Sequence, residues 1–107
     1  MSWYAVRCVF AVGLRSEAAG ETYEERITLW RANSADMAIA RAEAEALEYA
    51  AMIGGITYLG MAQSYQLVEE VSDGAEVFSL MRDSEMEPEE YLDTFFDTGT
   101  EHQNTAN

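Results

Sequence analysis

Lysine is absent from the chain, histidine and cysteine occur once each, and six arginines face twenty Asp and Glu residues, for a formal charge of −14 over 107 residues. Each scarcity excludes a class of function. Nucleic-acid binders neutralise phosphates with clustered Lys and Arg, and six scattered arginines cannot do this, so no nucleic-acid partner is expected. The same charge opposes anionic lipid, and no apolar run approaches the roughly 18 residues that span a bilayer, so no membrane is expected. Met1-Ser2-Trp3-Tyr4 lacks a basic n-region, and Arg7 and Arg15 interrupt the only apolar candidate for an h-region. No signal peptide is read there, and the cytoplasm is the expected compartment. His102 near the end and Cys8 among Val6, Val9 and Phe10 cannot assemble a zinc set or a His-activated nucleophile. Cys8 reads as a small buried hydrophobe. No cofactor and no catalytic residue is assigned.

Two acidic or glycine-rich stretches invite chemistry and decline it. Asp83-Ser84-Glu85-Met86-Glu87 offers alternating oxygen ligands, but the sixth position of an EF-hand loop would be Pro88 where Gly is needed, and the twelfth would be Thr94 where a bidentate Glu is needed. It reads as a solvated acidic helix start. Gly54-Gly55 follows a helix instead of opening one, so its amides are not a phosphate cradle.

What is present is a globular pattern, since 49% of residues are hydrophobic and 11% aromatic, far above a disordered acidic chain. Ser2 to Gly13 alternates, with Tyr4, Val6, Cys8, Phe10 and Val12 on one side, and this is the period of a strand. Gly13 to Glu21 reads as a hairpin loop, and Thr22 to Ala32 repeats the alternation. Asn33-Ser34 offers an N-cap, Gly54-Gly55 a stop, and the helix between them presents Ala38, Ile39, Ala42, Ala46, Tyr49, Ala50 and Ile53 in one arc. So alanine-rich a stripe lets the backbone lie close to a sheet. Ile56 to Val71 reads as a long strand bent at Gly60, Ser72-Asp73-Gly74 as a turn, and Ala75 to Arg82 as the return strand. Pro88 at the first helical position predicts a short helix to about Phe96 with Tyr91, Leu92 and Phe95 as its stripe, and residues 99–107 read as a disordered tail. The expected fold is α+β: one domain over residues 1–98, with a four-stranded antiparallel-rich sheet from two hairpins in the order β-β-α-β-β-α, the long helix on one face.

Trp3-Tyr4-Ala5-Val6-Arg7, Glu24-Glu25-Arg26-Ile27-Thr28-Leu29, Ala32-Asn33-Ser34 with Ala38-Ile39 and Ala42, and Asp73-Gly74-Ala75-Glu76-Val77-Phe78-Ser79 together resemble an uncharacterised bacterial family, domain-of-unknown-function family 4288. The likeness runs over residues 3–81. It implies a small cytoplasmic bacterial domain and assigns no catalytic residue.

The candidate binding residues are Trp3, Arg7, Arg26 and Trp30. If Val6, Cys8, Phe10, Ile27 and Leu29 pack under the helix, alternation gathers these four on the opposite face, and Trp and Arg are the residues favoured at interface centres. The alternatives for that face are a cover supplied by Tyr91 and Phe95 of the short helix, or a surface lattice with Glu24. The expected function is a non-enzymatic binding or regulatory module that meets a protein partner or itself as a homodimer. Its rivals are an immunity-type or nucleic-acid-mimicking inhibitor of a basic partner, and a small enzyme of unassigned reaction.

Overall fold

The computed structural model describes residues 1–13 and 22–96; the remainder of the expected hairpin loop and the tail at 99–107 lie outside the described residues. The described residues form three strands and two helices: β1 (Ser2–Val12), β2 (Thr22–Ala32), α1 (Ala35–Ile53), β3 (Ile56–Gln66) and α2 (Pro88–Phe95). The sheet is antiparallel with β1 in the centre, in the order β2-β1-β3. The α+β class and the helix-covered sheet follow the sequence expectation, while the fourth strand does not form.

β1 is the hinge of the architecture because its alternation is the strongest in the chain. Tyr4, Val6, Cys8 and Phe10 are buried on one side, and Val6 and Phe10 are fully so. They meet Ala38, Ala42 and Ala46 of α1, all fully enclosed. The methyl stripe lets the helix backbone approach the sheet, so a handful of large side chains suffices to exclude water. Ser34 starts α1 as read: its Oγ accepts the Met37 amide at 3.1 Å. Gly54, at φ +80°, ends it, donating its N–H to the Ala50 carbonyl. Ile53, expected in the buried arc, is more than half exposed beyond the end of the sheet contact.

β3 pairs with β1, and its register slips between Cys8 and Phe10, at the bend expected from Gly60, whose φ is +79°. The second hairpin fails after Gln66. Leu67 donates its N–H to the Trp3 carbonyl at 2.9 Å, continuing the pairing with β1. The Ser72–Ala75 turn closes with a 3.0 Å backbone bond, yet no strand forms over 75–82. The competition for β3 is won by β1, which brings a buried apolar face. Residues 68–71 carry two Glu and exposed Val68 and Val71, leaving nothing against which a fourth strand would bury. Among the described residues α2 packs against neither the strands nor α1. No helix among the described residues is long and apolar enough to cross a membrane.

Candidate interaction surface

The registers fix which side chains share a face. Tyr4 lies opposite Trp30, Val6 opposite Thr28, Cys8 opposite Arg26 and Phe10 opposite Glu24. Directly opposed residues of an antiparallel pair point to the same side, so the even-numbered residues of β2 join the α1 side. Burial agrees: Glu24, Arg26, Thr28 and Trp30 are half-buried, whereas Glu25, Ile27, Leu29 and Arg31 are exposed. The expected grouping of Trp3, Arg7, Arg26 and Trp30 is therefore corrected. Trp3 and Arg7 stand on the open face, Arg26 and Trp30 face α1, and Ile27 and Leu29, expected under the helix, are on the open face.

The reversal has a chemical reason. Arg26 forms a two-pronged pair with Glu45 of α1 at 2.7 and 2.8 Å, while its guanidinium lies 3.8 Å above the Tyr49 ring. Its charge and stem are thus both satisfied beside the core. The hydrogen bonds hold the Glu45 carboxyl below its ordinary range, and burial opposes this more weakly. Tyr49 donates its hydroxyl proton to the Glu24 carboxylate, both oxygens lying at 3.0 Å. Trp30 is anchored by Nε1–H to Thr28 Oγ1 at 2.7 Å, with the Arg41 guanidinium 5.1 Å from its ring. Two charged residues that looked like surface from sequence are closing the seam between β2 and α1.

On the other side of the core, Tyr58 donates to Glu43 Oε2 at 2.5 Å and packs its ring against Phe10. Burial, reinforced by the bond to Glu43, raises the Tyr58 phenol above its ordinary range. Cys8 is enclosed and reduced, and burial raises its thiol too. A protonated, inaccessible thiol is no nucleophile. Among the described residues no three His, Cys, Asp or Glu are placed to hold a metal ion.

The open face carries a different chemistry. Arg7 donates to Gln63 Oε1 at 2.6 Å and to Glu25 Oε1 at 3.3 Å, and the Phe78 ring lies 5.0 Å from its guanidinium and 5.9 Å from Tyr65. Phe78, from the segment expected to be a strand, thus sits on the open face toward the β1–β3 side. Toward β2 that face remains apolar and exposed, with Ile27 at 44% and Leu29 at 37%. Leu59 and Met61, at 48% and 54%, continue it beside the bulge. Tyr91 and Phe95, the sequence candidates for a cover, instead pack on each other at 4.9 Å and on Arg82.

Charge follows the same division. The three strands hold Arg7, Arg26 and Arg31 against Glu24 and Glu25, a net of +1 in a chain of −14. Residues 67–96 hold ten carboxylates and Arg82. Compared with protein-family models, with curated proteins and with solved structures, the chain gives no match.

Proposed function

We propose that this is a non-enzymatic bacterial module, working in the cytoplasm, that acts by protein contact through the open face of its sheet. The observation that carries the reading is the contrast between an apolar, exposed Ile27–Leu29 strip and a helix-covered face with its charges paired. Exposed apolar area on a near-neutral sheet within a strongly acidic chain is where a partner gains most from desolvation and loses least to repulsion. Of the four sequence candidates, Trp3 and Arg7 belong to this surface, and Arg26 and Trp30 serve it by fixing β2 against α1.

Sedimentation of the full chain across a dilution series tests the reading. The parent is expected to exceed monomer mass as concentration rises, and Ile27→Lys to remain monomeric with the melting temperature of the dilute, monomeric parent. A parent that stays monomeric throughout would defeat self-contact. The inhibitor reading draws on the ten carboxylates of residues 67–96. It requires binding to a basic protein that collapses as salt rises, whereas an apolar contact between acidic chains strengthens when salt screens their repulsion.

A further inference from the structure

The outer edge of β2 is regular along its whole length. Its register with β1 runs from Ser2–Ala32 to Val12–Thr22 without a shift, whereas the pairing of β3 is broken at the bulge. Bulges blunt sheet edges, and an unbroken edge is a template for another strand. The direction of its amides can be read from two contacts. The Trp3 carbonyl is bonded by Leu67 on the β3 side, so it does not face β2. Its opposite number, the Arg31 carbonyl, accepts instead from Arg41 Nη1 at 2.8 Å. Hydrogen-bonded and non-bonded pairs alternate in an antiparallel ladder. The N–H and C=O groups of Glu25, Ile27, Leu29 and Arg31 therefore turn outward, and those of Arg26, Thr28 and Trp30 turn to β1.

These four outward residues are also the open-face residues, and their order is complementary to itself. An antiparallel copy centred on Thr28 sets Ile27 opposite Leu29 and Glu25 opposite Arg31, twice over by symmetry. Apolar meets apolar and anion meets cation at each position. The self-complementary surface of a two-fold dimer has this arrangement. The rest of the molecule is compatible with it: β2 is neutral, and the acidic segment 67–96 leaves the sheet from β3, at the opposite edge.

Resting on the reading above, we propose that the partner is a second copy of this chain, paired antiparallel through the β2 edges about Thr28 to give a continuous six-stranded sheet. Ile27 and Leu29 exchange backbone bonds across the axis, and Glu25 and Arg31 fix the register. Arg41 occupies one direction of the Arg31 carbonyl and leaves its second lone pair to the copy.

The experiment is mild oxidation of full-length Thr28→Cys. At the axis the two Cα atoms would stand roughly 4.5 Å apart, within disulfide reach. A 28–28 linked dimer is expected in high yield. The parent, whose Cys8 is buried, and a Thr57→Cys control on the β3 edge are expected not to link. A charge swap checks the register without cysteine: Glu25→Arg should weaken association about tenfold by setting like charges opposite each other, and adding Arg31→Glu should restore it. A dimeric parent that links through Thr57→Cys, or in which both the cross-link and the swap are silent, overturns this pairing while leaving protein contact through the open face standing. A parent monomeric at every concentration overturns the pairing and all self-contact, and leaves the open face to a different protein.

Discussion

The two faces of the sheet solve opposite problems with similar residues. Under α1, polar groups beside the core are paired: Arg26 with Glu45, Glu24 with the Tyr49 hydroxyl, Glu43 with the Tyr58 hydroxyl. On the open face, Arg7 is held by Gln63 and Glu25, but Ile27 and Leu29 stand exposed. Apolarity alone therefore does not mark the inside of this protein. Ile27 on β2 is exposed and Arg26 beside it is half-buried against α1, because packing and pairing on α1 decide the matter after the strand register is set.

The contrast is broken most severely by removing what fills the covered face. Phe10→Ala deletes one of the two largest fully buried side chains, together with the ring contacts to Tyr49 and Tyr58. A loss of about 3–5 kcal/mol is expected in urea denaturation, while the corresponding change on the open face, Ile27→Lys, should stay within about 0.5 kcal/mol. Equal losses at the two positions would mean that the open face is core. Trp30→Ala comes next, since the residue is half-buried against the core and its Nε1 bond to Thr28 is lost. It should cost about 2 kcal/mol in the same assay, and association should weaken only as far as the strand loosens.

A smaller effect separates the faces by pH. The hydrogen bonds from Arg26 lower the folded-state pKa of Glu45, so the pair stabilises the fold fully above the ordinary glutamate range and loses that contribution as pH falls through the depressed value. Glu45→Gln should thus cost about 1 kcal/mol at neutral pH, with the gap between parent and variant closing below about pH 4. Melting curves over that interval would show it, and a gap independent of pH would assign the pair no electrostatic part. Smallest of all is the loss of α2. Its ties are Arg82 to the Tyr91 hydroxyl and the Phe95 ring, all outside the sheet. Ending the chain after Arg82 should change the unfolding free energy by less than about 1 kcal/mol, and a larger loss would mean that the removed segment is integral to the body.

Where the sequence was legible, a local rule sufficed. The alternation of β1, the Ser34 cap, the alanine stripe, the Gly54 stop and the Gly60 bend each depend on residues within a turn or two of one another. The choices that escaped were long-range. Whether β3 pairs forward with residues 75–82 or back with β1 is a contest between a nearby turn and a distant buried face, and periodicity is silent on it. Which side of β2 faces α1 depends on register parity relative to β1, and one residue of slip would exchange Ile27 and Leu29 for Arg26 and Trp30. The candidate surface was half legible for the same reason. Trp3 and Arg7 lie on the well-read strand and are on the open face, whereas Arg26 and Trp30 lie on the strand whose parity was inverted. A signal was present in the spacing of α1: Glu45 and Tyr49, four residues apart on one side of a helix, form a carboxylate-and-ring seat for an arginine.

Amide hydrogen exchange along β2, measured at high and low protein concentration, tests the central claim most directly. The Arg26, Thr28 and Trp30 amides face β1 and should be protected equally at both concentrations. The Ile27 and Leu29 amides face outward and should be protected only where the chain is concentrated enough to pair. Outward amides that exchange freely at every concentration, or that are protected as firmly in dilute as in concentrated solution, would contradict a β2 edge completed by a second copy.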